Sequence, residues 1–340
     1  NSQQSRSSPI QLPGTTWSST SHSRGNANFL TKTDGTLWSI GASGYGYAGR
    51  NDNTNRSSPT QIPGTNWSTG DNGHINGHNF SLFTRSDGTM FAAGRNNKGQ
   101  LGQNNKTDRS SPVQVGSGTG CYDSAMALKT DGTLWTWGSG SYGKLGQNNN
   151  TQYSSPRQVG TDTTWSIITG NGNFAAIKTD NTLWSWGFNR EGQLGHNTQG
   201  SSPPFGSVSS PKQIPGTWQD VSTMREGAYA IRTDGTMWAW GRNETGQLGL
   251  NQFWNPTNNG ISSPTQVGTD TTWSKVSAGT YTVYATKTDG TFWAWGNNGS
   301  GQIGGTNVYG NFSSPVQIPG NWVDAGFNGG SDWVFGLKKT

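Results

Sequence analysis

Short apolar runs separated by polar turns recur along the whole chain. In the run TLWSWG (182–187), alternation places Trp184 and Trp186 on one face of a strand and Leu183 on the other. Such runs follow dipeptides like Asp131-Gly132, the strongest short-range signal for a β-hairpin. No apolar run approaches the ~18 residues of a membrane-spanning helix. The pattern therefore predicts antiparallel strands throughout.

These strands belong to one repeated unit. Each unit contains the tract SSPxQ, usually a tryptophan, an apolar run ending in a basic residue, an Asp-Gly or Asp-Asn turn, LWxWG and NxxGQLG. A sheet of this kind has two apolar faces and buries them by stacking against its neighbours, which predicts a β-propeller with four-stranded blades. SSPxQ begins at Ser7, Ser57, Ser110, Ser154, Ser209, Ser262 and Ser313.

The repeated tract DGTLWSWGxNxxGQLGxN…SSPxQV, recurring about every 51 residues, resembles the regulator-of-chromosome-condensation repeat. The resemblance covers essentially the whole chain and implies an all-β, seven-bladed propeller. Members of that family include exchange factors for small GTPases, a bacterial inhibitor that binds β-lactamases, and many surface or virion-associated proteins. The resemblance therefore implies a fold but no single activity.

The repeat count is uneven, which bears on the seventh blade. SSPxQ occurs seven times, whereas the LWxWG and GQLG section occurs six times. We expect one propeller domain over residues 1–340, with its seventh blade built from 1–13 plus 320–340. Residues 7–12 would supply the outer strand of that blade, which would lack its third strand. Either a longer native polypeptide or a neighbouring molecule would fill this gap.

Candidate chemistry is sparse. Residues 137–146, WGSGSYGKLG, contain G-x-G-x-x-G, but Leu145 follows the lysine where a P-loop needs Ser or Thr, and no helical pattern follows. Cys121 is the single cysteine, and six aspartates are turn residues. His74 and His78 are four residues apart in a Gly/Asn-rich stretch, which favours a loop over a metal site. We therefore expect a non-enzymatic protein with no catalytic residues, no cofactor and no metal.

The charge pattern also repeats. One basic residue precedes each turn, as Lys178 does, and in six units an aspartate follows two residues later. We expect these pairs to form solvated ion pairs, with a polyanion-binding rim as the alternative. Net charge is +5, but the 23 basic residues are scattered, so we expect no nucleic-acid partner.

The loops between GQLG and SSP supply the candidate binding residues. They have seven residues in the first three units and 13, 12 and eight in the last three. Aromatic residues in polar loops are typical of interfaces, although these rings could instead fold back on the adjacent blade. Trp254→Ala is expected to weaken partner binding without lowering stability. The candidate partner-binding residues are Phe205, Phe253, Trp254, Tyr309 and Phe312.

These observations predict a protein-binding or structural module. The polar, Asn/Ser/Thr-rich surface favours an extracellular or virion-surface assembly over the cytoplasm, with a protein partner or neighbouring subunit and no membrane insertion. The main alternative, by family resemblance, is a guanine-nucleotide exchange factor for a small GTPase. A further alternative is a propeller that binds a glycan through exposed aromatic rings.

Overall fold

The computed structural model describes most of the chain. The described residues are 12, 14, 16–22, 27–68, 74–76, 79–115, 119–121, 123–170, 172–200, 202–253, 260–301, 303, 310–320, 322–324 and 337–338. They fall into two compact units. Ile10–Ser141 with Asn150–Thr163 belong to the first, and Tyr142–Asn149 with Thr164–Thr340 to the second. The prediction of one domain over 1–340 stays a prediction.

The first unit contains three four-stranded antiparallel sheets, which we call blades one to three. Blade one consists of β1 (Trp17–His22), β2 (Ala27–Lys32), β3 (Leu37–Gly41) and β4 (Arg56–Gln61). Blade two consists of β5 (His74–Asn76), β6 (Phe80–Thr84), β7 (Met90–Gly94) and β8 (Arg109–Val115). Blade three consists of β9 (Thr119–Cys121), β10 (Ser124–Leu128), β11 (Leu134–Gly138) and β12 (Tyr153–Gln158).

The second unit contains blades four to six and one smaller sheet. Blade four consists of β13 (Trp165–Gly170), β14 (Asn173–Lys178), β15 (Leu183–Gly187) and β16 (Val208–Ile214). Blade five consists of β17 (Trp218–Met224), β18 (Gly227–Arg232), β19 (Met237–Gly241) and β20 (Ile261–Gln266). Blade six consists of β21 (Trp273–Ala278), β22 (Thr282–Lys287), β23 (Phe292–Gly296) and β24 (Phe312–Ile318). A two-stranded sheet pairs β25 (Trp322–Asp324) with β26 (Leu337–Lys338).

The predicted blade count is corrected by this topology. The described residues form six four-stranded blades, not seven. In the smaller sheet Trp322 pairs with Lys338, the register in which Trp273 pairs with Lys287 in blade six. This sheet therefore has the first two strands of a blade, because the chain carries only six copies of the LWxWG strand. The predicted outer strand, 7–12, lies outside the described residues except for Leu12, which is not in a strand.

Each Asp-Gly or Asp-Asn hairpin is held by a short hydrogen-bond chain. In blade four, Asp180 Oδ1 accepts hydrogen bonds from the backbone N–H and the hydroxyl of Thr182, at 3.0 and 2.6 Å. Trp184 Nε1 donates to Thr182 Oγ1 at 3.0 Å, and Lys178 Nζ lies 4.4 Å from the centre of the Trp184 ring. These hydrogen bonds, led by the Thr182 hydroxyl, lower the pKa of Asp180.

The basic residues that precede the turns also contact aromatic rings, which the predicted pairing with the turn aspartates did not include. The cations of Lys32, Arg232 and Lys287 lie over indole rings at 4.0 to 5.1 Å, as Lys178 does. Attraction to the lysine makes a smaller contribution than the threonine to the lowered pKa of Asp180. A cation held over an aromatic face is attracted electrostatically by the negative potential of the ring.

The second tryptophan of LWxWG and the GQLG turn join neighbouring blades. Buried Trp240 donates its indole N–H to the backbone oxygen of Gln193 in the preceding turn at 3.0 Å, and Trp295 does the same to Gln247 at 2.8 Å. Gly192 has a φ of +80°, and a Cβ there would lie 2.6 Å from the Cα of Ser262 in the SSPxQ strand of blade five. Only glycine permits this approach, which explains why the GQLG and SSPxQ tracts recur together.

Candidate functional site

An aromatic cluster lies within the second unit, where the segment 142–149 contacts the loop between β15 and β16. Tyr142 is 4 residues past the end of β11, Phe188 follows β15, and Phe205 lies in the loop before β16. Their ring centres are 5.0 Å apart for Tyr142–Phe188, 5.7 Å for Tyr142–Phe205 and 5.5 Å for Phe188–Phe205. Tyr142 is 42% exposed, so the cluster presents apolar surface to solvent.

Two of these aromatic residues have an unusual backbone conformation. Tyr142 and Phe205 have φ values of +62° and +58°, in the left-handed region that side chains rarely adopt. The loop of Phe205 is fixed by Asn189, whose side-chain amide donates to the carbonyl of Thr198 at 2.8 Å and to that of Gly206 at 3.3 Å. Strained backbone held by surrounding contacts is typical of functional sites, because the strain has to be stabilised by the rest of the fold.

A charged network continues from the same turns. The guanidinium of Arg242 bridges the carboxylates of Glu226 and Glu244, and Arg190 Nε lies 3.4 Å from Glu191 Oε1. Burial, followed by repulsion from Glu226, raises the pKa of the Glu191 carboxyl. Burial opposes charging of Arg242, but its hydrogen bonds to Glu226 and Glu244 raise its pKa. The guanidinium therefore stays charged and orients both carboxylates.

These side chains occupy equivalent, variable positions of the repeat. Tyr142 and Glu191 each precede the left-handed glycine of a turn, and Phe188 and Arg242 each follow the third strand of the next blade. The same positions in the first unit hold Tyr45 and Arg95, whose guanidinium lies 5.1 Å from the tyrosine ring. The repeat thus supplies a constant scaffold, and the residues at its variable positions decide the surface chemistry. We call Tyr142, Phe188, Phe205 and the network of Arg190, Glu191, Glu226, Arg242 and Glu244 the turn surface.

Sequence reasoning identified only part of this surface. Phe205 was a candidate, whereas Tyr142 and Phe188 were missed because they lie inside turns that matched the repeat. The signal that could have found Tyr142 is an aromatic residue where other turns carry Lys98 and Glu191, although Tyr45 shares this feature. For Phe188, it is an aromatic residue where other units carry Arg95 and Arg242. The glycine-rich stretch 137–146 forms one of these turns, and the backbone oxygen of Lys144 accepts a hydrogen bond from Trp186 at 3.0 Å.

The other candidate residues lie elsewhere. Phe253 is 52% exposed, with its ring edge near Gly246. Phe312 begins β24 and packs, partly buried, against the core. Trp254 and Tyr309 lie outside the described residues, so a role for them in binding stays a prediction.

Two features of the described residues bear on other functions. No group of three or more His, Cys, Asp or Glu side chains among them is placed to hold a metal ion. Among the described residues, no helix is long and apolar enough to cross a membrane.

Comparison with family models gives matches over more than half of the chain. A model described as the regulator of chromosome condensation (RCC1) repeat matches residues 87–125, 131–171, 180–224 and 234–285. A second model of the same description matches residues 273–302. No curated protein sequence matches the chain.

Solved structures share the fold. Human WBSCR16 is 20% identical, with a TM-score of 0.80 over 98% of this chain and 90% of its own. Yeast RCC1 (Prp20), solved bound to Kap60, is 20% identical, with a TM-score of 0.77 over 94% of this chain and 80% of its own. A structure of Prp20p from Saccharomyces cerevisiae, reported with its binding to Gsp1p and histones, is 19% identical, with a TM-score of 0.76 over 94% and 82%. Similarity at this identity establishes a β-propeller fold.

Proposed function

Because the chain belongs to the regulator of chromosome condensation (RCC1) repeat family, we propose that it acts as a non-enzymatic β-propeller that binds a protein partner through its turn surface. The exposed aromatic cluster of Tyr142, Phe188 and Phe205 carries this proposal. Aromatic and arginine side chains contribute most of the binding energy at protein interfaces, and Arg242 follows the third strand of blade five, at the position that Phe188 holds in blade four. The paired carboxylates around Arg242 add charge complementarity for a partner.

A small GTPase is the partner class that we favour. Prp20p, which shares the fold, is reported to bind Gsp1p and histones. A net charge of +5 on this chain opposes binding of basic histones, which leaves the GTPase as the better-supported partner. Among the sequence-based hypotheses, the exchange-factor alternative is therefore better supported than the extracellular or virion-surface assembly. The location itself stays a prediction, and nothing in the comparisons supports glycan binding.

A matched pair of variants tests this proposal. Tyr142→Asn removes the ring while retaining a residue that tolerates positive φ, and Tyr45→Asn is its control, because Tyr45 holds the equivalent turn position and is also 42% exposed. The assay measures binding of Gsp1p loaded with a fluorescent GDP analogue, together with the rate of nucleotide release. We expect Tyr142→Asn to weaken binding at least about tenfold and Tyr45→Asn to change it less than about twofold.

The two readouts separate the alternatives. Faster release that requires Tyr142 supports exchange activity, whereas binding without faster release supports a binding module alone. Equal loss in the two variants would contradict the assignment of the turn surface. Absence of binding across a panel of small GTPases would contradict the partner class.

A further inference from the structure

In blades two and four, the residue after the GQLG turn contacts the outer strand through a side chain that blade five lacks. This position carries a side chain with hydrogen-bond donors in blades one to four: Arg50, Gln103, Gln147 and His196. In blade two, Gln103 Nε2 donates to the carbonyl of Gln114 at 2.6 Å. In blade four, His196 Nε2 lies 3.3 Å from the carbonyl oxygen of Lys212. In both blades this side chain fills the space beside the blade's own outer strand.

Blade five has Leu250 at this position. Leu250 carries no donor, and Ala239 stands where blade four has the Ser185 hydroxyl that contacts His196. Thr265 and Gln266, the counterparts of Lys212 and Gln213 on the outer strand, line an open groove with Leu250. The replacement therefore leaves an unfilled donor position beside the outer strand.

The groove also reaches the neighbouring blade. It has a volume of about 490 Å³, and Ile261, Ser314 and Pro315 complete much of its wall. This volume lies within the ~300–1,000 Å³ of small-ligand sites. Leu250, Ile261 and Pro315 offer apolar surface for a methylene stem. Gln266 of the outer strand is the counterpart of Gln114, whose carbonyl accepts the hydrogen bond from Gln103 in blade two. A long polar side chain can satisfy both surfaces at once.

We propose that this groove binds a glutamine or neutral histidine side chain from a segment of a partner protein. The chain's own Gln103 and His196 show which side chains fit the equivalent space. The described residues that line the groove carry no charge, so a guanidinium or ammonium group would gain no counter-ion from them, at a cost in free energy. The site uses none of the residues of the turn surface and goes beyond the function proposed above.

The test uses N-acetylglutaminamide as the probe and the methyl NMR signals of Leu250 and Ile261 as reporters. N-acetylhistidinamide above pH 8 is the second probe. N-acetylnorleucinamide and N-acetylargininamide are controls whose side chains lack a neutral donor. We expect saturable shifts at both reporters with the two probes, and at least about tenfold weaker binding of either control.

Two variants of opposite effect decide the outcome. Leu250→Gln supplies the missing donor from within the chain and should abolish the saturable shift at Ile261. Gln103→Leu should open the equivalent space in blade two and create a second site, reported by the methyl groups of Val113. Tyr142→Asn should leave the binding of both probes unchanged, which separates this site from the turn surface.

Several results would overturn the proposal. They are no saturable shift in the native chain, equal shifts with N-acetylnorleucinamide, or undiminished binding in a folded Leu250→Gln variant. If Leu250→Gln does not fold, as judged by methyl signals away from the groove, Gln103→Leu carries the test. Failure of Gln103→Leu to gain a site would then overturn the proposal.

Discussion

Replacement of His196 by glutamine tests how a partly buried imidazole links stability to pH. His196 Nε2 contacts the Ser185 hydroxyl at 2.9 Å and the Lys212 carbonyl at 3.3 Å. Burial, followed by repulsion from the Lys212 ammonium, lowers the pKa of His196 to about 4. The folded state therefore keeps this ring neutral, whereas a histidine in an unfolded chain titrates near ~6.5.

The sign and size of the effect follow from this difference. Protonation favours the unfolded state, so the contribution to stability is complete above about pH 6.5 and is lost as the pH falls toward 4. At pH 4.5 the two pKa values correspond to a loss of about 2.5 kcal/mol. Solvent reaches part of the ring and screens the interaction, which reduces the expected loss to about 1 to 2 kcal/mol.

Urea unfolding of the native chain and of His196→Gln at pH 7.5 and 4.5 measures this loss. Glutamine is the matched replacement, because Gln103 and Gln147 occupy the equivalent position in other blades. Between these pH values, the native chain should lose about 1 to 2 kcal/mol more free energy of unfolding than the variant. Equal losses would show that the imidazole is accessible to protons in the folded state and would refute the reasoning.

Three further predictions concern the blade scaffold. Asn197→Ala should lower the free energy of unfolding in urea by about 1 to 2.5 kcal/mol, through strain at a φ of +56° and loss of one hydrogen bond, whereas Asn197→Gly should lose less. Gly143→Ala should lower the free energy of unfolding by more than about 2 kcal/mol, because the new Cβ would lie 2.4 Å from the Cα of Ser209. Its control is Gly160→Ala, which has a similar φ but nothing within 4 Å of the new Cβ, and which should cost only about 1 kcal/mol of backbone strain. Asp180→Asn should make the free energy of unfolding fall less steeply below about pH 4. The pKa of Asp180 is lower in the folded than in the unfolded chain, so the carboxylate stabilises the fold above the unfolded-state pKa and loses this effect as acid protonates it in the fold. An unchanged acid-unfolding profile would contradict this.

Most of the fold could be predicted from local sequence patterns. The Asp-Gly hairpins, the alternating LWxWG strands and the buried second tryptophans all depend on turn chemistry and side-chain alternation within about ten residues. They are visible in a single repeat. The hairpin and its strands are confirmed in six blades, and a buried second tryptophan in four of them, at Trp137, Trp186, Trp240 and Trp295. The blade count was predicted less well, because two strands of a blade can pair in the usual register without the third.

The candidate site shows the limit of sequence reasoning. Phe205 could be found from its unusual loop, but its contacts with Tyr142 and Phe188 join positions far apart in the chain.

The sequence by itself determined the repeating unit, its hairpins and its buried rings, because these depend on near neighbours and recur often enough to be recognised. Only the tertiary structure decided which variable side chains meet where blades join, that the repeated cations lie over indoles, and that Leu250 leaves a groove open. The cation contacts depend on how the strands of one blade pair, whereas the other two outcomes depend on how one blade docks on the next. Docking brings together residues about 45 positions apart, and no periodicity within the chain specifies their side chains.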